Sequence, residues 1–156
     1  MTGYLASFEP AMRAALAEAR ATASAKVADV PVGAVVLDES GATIGSGRNL
    51  REASADPTGH AEVLALRAAG QARGDWRLDE CTLVVTLEPC TMCAGAVLAG
   101  RIGRLVYGAR DPRAGAAGSV WDVLHDRRLG RPVEVVSGVL ADECAAVLTE
   151  FFDRRR

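Results

Sequence analysis

The chain has 156 residues, 49% of them hydrophobic and 24% charged, with a formal net charge of −2. That length and composition predict a single domain over residues 1–156, burying roughly 70% of its unfolded surface. No apolar run approaches the ~20 residues that span a membrane, and the charge excludes a surface that is basic throughout.

In chain order, Leu5, Phe8, Met12, Leu16 and Ala19 recur at helical spacing, which predicts an amphipathic helix over residues 5–25. This start lacks the form of a signal peptide, so the cytoplasm is the expected location. Val32–Leu37 and Thr43–Arg48 flank the turn signal Asp38-Glu39-Ser40-Gly41 and predict a hairpin. After an irregular stretch, Asp56-Pro57-Thr58 predicts the start of a helix that runs to Ala69 and stops at Gly70, with His60 and Glu62 in its first turn. Thr82–Leu87 reads as a buried strand, Cys90–Ala99 as a helix stopped by Gly100, and Arg104–Gly108 as a further strand.

The Gly- and Ala-rich stretch 109–118 is a long loop, followed by a predicted helical turn at Val120–His125 and a charged loop, Asp126–Pro132. Val133–Ser137 is a fifth strand, and residues 141–154 form a last helix with the stripe Cys144, Val147, Leu148 and Phe151. The order α-β-β-α-β-α-β-β-α implies an α/β fold: a central five-stranded mixed sheet flanked by helices in three layers.

Two short motifs carry the chemistry. His60-Ala61-Glu62 sets an imidazole beside a carboxylate, and Pro89-Cys90-Thr91-Met92-Cys93 sets two thiols one helical turn apart. Two thiolates and one imidazole suit a zinc ion and leave its fourth tetrahedral position open, as in catalytic zinc sites. Glu62 then stands free to move protons to and from a water on the metal. A Cys-x-x-Cys opening a helix also suits a thioredoxin-like redox pair, but here Pro89 precedes it and a second motif opens another helix. Cys81 and Cys144 stand alone in apolar patterns and read as core.

The motif pair resembles the signature of the zinc-dependent nucleobase deaminases. Further stretches, among them DVPVGAVV, GRNLRE, DPTGHAE, VTLEPCTMCAGAVLAGRIGRLVYGARD, GAAGS and GVLADECAAVLTEFF, resemble bacterial tRNA adenosine deaminases from about Phe8 to Arg156. The resemblance implies a cytidine-deaminase-like fold and a homodimer. It also implies conversion of the wobble adenosine of an anticodon stem-loop, that of an arginine tRNA with an ACG anticodon, to inosine with release of ammonia. It makes His60, Cys90 and Cys93 the ligands of one Zn²⁺ per subunit and Glu62 the proton shuttle. Asn49 becomes a contact to the target base and Asp111 a contact near the flipped nucleotide's ribose.

Gly59 before the histidine and Gly130-Arg131-Pro132 before the last strand depart from the family pattern. Arg110, Arg113, Arg127 and Arg128 are candidate phosphate contacts; Phe152 and Arg154–Arg156 are either RNA contacts or a solvated tail. Two other readings stay open: a deaminase of free bases or nucleosides, and a non-enzymatic zinc module.

Overall fold

The structure, a computed structural model, describes residues 2–156. Its first departure from the sequence pattern is a break in the opening helix, which is two elements, α1 (Thr2–Ala6) and α2 (Glu9–Ala23). Pro10 is the cause: inside a continuous helix its ring would meet the carbonyl of Ala6, and its missing N–H is harmless only in a first turn. The hairpin follows as β1 (Gly33–Leu37) and β2 (Thr43–Arg48), then α3 (Ala61–Arg73), β3 (Thr82–Leu87), α4 (Thr91–Ala99), β4 (Arg104–Ala109), β5 (Glu134–Ser137) and α5 (Ala141–Asp153).

Helix α3 starts later and ends later than its residues suggest. The Asp56 carboxylate accepts from the N–H and hydroxyl of Thr58 (both 2.9 Å), which closes a turn instead of opening a helix. The helix then passes through Gly70 and ends at Gly74, whose φ of 72° supplies the left-handed cap. His60 is therefore the N-cap and not a first-turn residue. The helical turn expected at Val120–His125 is absent. That segment is turns and an isolated bridge between Ala117 and Asp122, and a 3-10 turn lies later, at Arg127–Leu129, capped by Asp126.

The sheet order is β2-β1-β3-β4-β5, antiparallel from β2 to β3 and parallel from β3 to β5. Both faces are buried. Ala34, Val36, Leu83, Val85, Leu105 and Tyr107 belong to the apolar layer under α3 and α4. Val35, Val84, Val106 and Val136 point to the opposite layer with Met12, Leu16, Cys144 and Val147. Two helical layers thus sandwich the five-stranded mixed sheet, as the element order implies. No helix among the described residues is long and apolar enough to cross a membrane.

Small residues bring α3 close to the sheet. A β-carbon on Gly45 would lie 2.6 Å from the Ala65 carbonyl oxygen, and one on Gly47 would lie 2.5 Å from that of Ala61. Ala61, Ala65 and Ala69 are the matching helix residues, all fully buried. Strand directions put the carboxyl ends of β2, β3 and β4 and the amino end of β1 at one rim, where α3 and α4 begin. In open α/β sheets that rim is the usual place for a ligand.

Candidate metal centre

His60 and Cys90 occupy equivalent places: each is the extended N-cap residue of its helix, with ψ of 149° and 179°. Cys93 lies one turn into α4. The two helix starts face each other, so the ligand atoms of His60, Cys90 and Cys93 all fall within 4.8 Å of one another. His60 Nδ1 is 3.7 Å from Cys90 Sγ and 3.5 Å from Cys93 Sγ. Zinc–sulfur and zinc–nitrogen bonds of ordinary length, at a tetrahedral angle, separate S and N by about 3.6 Å. Donor chemistry and spacing therefore both fit zinc.

The electrostatics agree with that use. Hydrogen bonding from Cys93 holds the Cys90 thiol at about 3 against the effect of burial, with help from His60. The same bond and burial push Cys93 up, and the bond to Cys90 raises His60. Both cysteines lie at a helix start, where unpaired N–H groups favour thiolate. Glu62, in the first turn of α3, is 4% exposed. Burial pushes its carboxyl up, opposed by its own N–H and by Cys93. Its place beside the three ligand-type side chains puts a carboxyl within the same buried floor.

Above these residues lies a cavity of about 190 Å³ whose lining includes Val30, Asn49, Arg51, His60, Glu62, Leu87, Glu88, Cys90, Asp111 and Ala114. Drug-sized pockets run to roughly 300–1,000 Å³, so this one is small. Asn49 Nδ2 donates to the Val30 carbonyl (3.1 Å) and its Oδ1 accepts from the Arg51 N–H (3.2 Å), which leaves the amide one further donor and acceptor site. Asp111 Oδ1 accepts from the N–H groups of Arg113 (3.0 Å) and Ala114 (3.2 Å).

Sequence reasoning missed two residues that hold the walls. Asp29, 2% exposed, accepts from the N–H groups of Glu52 (2.7 Å) and Ala53 (3.1 Å). Glu88, also 2% exposed, accepts from the N–H groups of Asp111, Ala117 and Ser119 and from the Ser119 hydroxyl. Burial works to raise the Glu88 carboxyl, but these donors outweigh it and hold the group below its ordinary value. No local pattern marks either residue. Their only sequence signal is a carboxylate beside an apolar strand or an N-terminal helix.

A sequence profile described as the cytidine and deoxycytidylate deaminase zinc-binding region matches residues 6–109. The chain belongs to that deaminase family. Within it, the chain is 50% identical over 128 residues to a tRNA-specific adenosine deaminase of Haemophilus influenzae, covering 82% of this chain and 74% of that protein. A solved structure from studies of A-to-I editing by tRNA:A34 deaminases superposes with a TM-score of 0.84 at 40% identity, covering 89% of this chain and 99% of that one. A guanine deaminase from Nitrosomonas europaea superposes at 0.79 with 29% identity, over 92% of this chain and 83% of that one. The deaminase fold expected from the sequence is thus the fold observed.

Other expected contacts divide. Phe151 is core at 7% exposure, whereas Phe152 is exposed. Arg128 pairs with Asp126 at 2.7 Å while staying exposed, and Arg110 donates to the Tyr107 hydroxyl at 3.4 Å. Arg51, which the sequence did not single out, lines the cavity. Cys81 and Cys144 are buried and stand outside the His60, Cys90 and Cys93 cluster, as their apolar settings predict.

Proposed function

We propose that the chain is a hydrolase that converts the wobble adenosine of a tRNA anticodon stem-loop to inosine, with water consumed and ammonia released. The observation that carries this reading is the meeting of His60, Cys90 and Cys93 with Glu62 at the floor of a small cavity. His60, Cys90 and Cys93 would hold one Zn²⁺ per subunit, which would supply a Lewis acid that acidifies water. Glu62 takes one proton from the attacking water and passes it to the ring nitrogen, then takes the second from the new hydroxyl on carbon 6 and delivers it to the departing amine. Asn49 offers its remaining donor and acceptor to the purine edge. Asp111 has Oδ2 left for a ribose 2′-hydroxyl, a group that DNA lacks.

A base must leave its stack to enter so small a cavity, which is cheapest from a single-stranded loop. Its sugar and phosphates then lie outside, near Arg51, Arg110 and Arg113. The whole chain acts as one domain, in the cytoplasm and without membrane attachment.

The protein is a homodimer in this reading. The outward face of α4 carries Thr91, Gly95 and Ala99, and the apolar groove between α3 and α4, about 710 Å³, is lined in part by Val63, Leu66, Trp76 and Ala96. Small residues on an exposed face permit the close approach of a second copy. Sedimentation at micromolar concentration is expected to give twice the 16.3 kDa chain mass.

The likeness to a guanine deaminase favours one rival, a free-base enzyme. The deciding assay incubates the protein with the stem-loop of an arginine tRNA with an ACG anticodon and, separately, with guanine, cytosine and adenosine. Inosine in the RNA with little ammonia from the free compounds is the expected result. Rapid guanine or cytosine turnover with unchanged RNA overturns it.

A further inference from the structure

Glu88 is a buried carboxylate that the deamination chemistry above does not use. Every donor it receives belongs to the loop after β4: the N–H groups of Asp111 (3.1 Å), Ala117 (3.0 Å) and Ser119 (3.1 Å), and the Ser119 hydroxyl. The next residue continues the link, since the Ala116 N–H donates to the Pro89 carbonyl at 2.8 Å. The loop has a matching cut-out at Gly115, where a β-carbon would lie 2.5 Å from the Glu88 carboxylate and 2.5 Å from the Asp111 carbonyl oxygen. The same loop supplies Asp111 and Ala114 to the cavity wall.

We propose that Glu88 is a positioning residue that holds the Asp111–Ser119 loop closed as one wall of the base cavity before substrate arrives. The inference rests on the deaminase reading. A loop that is closed only part of the time weakens apparent affinity by the fraction closed, because binding must first select the competent form. Once RNA is bound the wall is in place, so the chemical step is preserved. Glu88 therefore acts on KM and leaves kcat and the metal largely alone.

The substitution Glu88→Gln tests this with little change in size. Oε1 receives Asp111 N–H and Ser119 hydroxyl, while Oε2 receives Ala117 N–H and Ser119 N–H. Either orientation of an amide turns its NH₂ against at least one loop N–H. The expected result is zinc content equal to wild type and KM for the anticodon stem-loop raised about ten-fold, with kcat within about threefold. The amides of Asp111, Ala117 and Ser119 should exchange hydrogen faster. Glu88→Asp, which keeps a carboxylate at shorter reach, should recover part of the KM.

Loss of zinc, a fall in kcat at unchanged KM, or unchanged kinetics and exchange each overturn the proposal. If Glu88→Gln does not fold, Gly115→Ala replaces it: the added methyl wedges the loop off an intact Glu88 and should give the same KM-weighted loss. Wild-type kinetics in that variant overturn the proposal. If the wild-type protein leaves the stem-loop unmodified, the functional reading fails on its own. Loop exchange in Glu88→Gln then decides the positioning role, and unchanged rates overturn it.

Discussion

His60 and Cys90 stand at the starts of helices whose buried sides, such as Ala61, Ala65 and Ala69 in α3 and Ala94 and Val97 in α4, are packed onto the sheet. Asn49, Arg51, Asp111 and Ala114 instead stand on irregular chain, held by Asp29 on one side and Glu88 on the other. The floor of the cavity is fixed by helix packing and two close-approach glycines. The walls are fixed by buried carboxylates that accept N–H bonds from distant loops. The floor therefore inherits the rigidity of the core, and the walls are as rigid as a few hydrogen bonds make them. Changes in the floor should act on metal and chemistry, and changes in the walls on substrate affinity.

The largest effect should follow from breaking the floor. Cys90→Ser, Cys93→Ser or His60→Ala removes one of the three proposed ligands, and each is expected to lose zinc by elemental analysis together with all measurable turnover. Tight zinc retention in both cysteine variants would remove these residues from the ligand set. Next is Glu62→Ala, expected to keep fold and zinc while kcat falls on the order of 10²–10⁴-fold, the range of general acid–base contributions. Near-normal turnover with zinc bound would move the proton shuttle to another group.

The walls should respond more gently. Asp29→Asn opposes an amide to two loop N–H groups and should raise KM several-fold with kcat preserved, because one or two hydrogen bonds to a loop are weakened. A fall in kcat of the Glu62→Ala kind would erase the distinction between floor and wall. Smallest is Arg51→Ala. If Arg51 meets one phosphate, the slope of log affinity against log salt should shrink by about 0.7–0.9, with little loss at low salt. An unchanged slope would place Arg51 beside the base or out of contact.

The same contrast explains what was legible in the sequence. His-x-Glu and Cys-x-x-Cys are short-range patterns, and a strand or hairpin announces itself by alternation, so the five strands and the meeting of His60, Cys90 and Cys93 could be read directly. Helix ends were less legible. The Asp56 turn competes with a helix start through bonds two residues away, and Pro10 divides what apolar spacing alone makes continuous. Asp29 and Glu88 were illegible because their partners lie between 23 and 31 positions away. A carboxylate that serves the backbone of a remote loop leaves no periodic trace.

The opposed N-caps have one more consequence, for assembly. His60 and Cys90 are 30 positions apart and belong to separate helices, with β3 between them in the chain. Cys90 and Cys93 can hold an ion while the chain is still open, but His60 joins only when α3 has docked on the sheet. A shared ion is then a removable cross-link across that stretch, stabilising the native chain by as much as it prefers the folded ligand set. Chelation before heating should then lower the melting temperature by several degrees, and an unchanged melting curve would remove the cross-link.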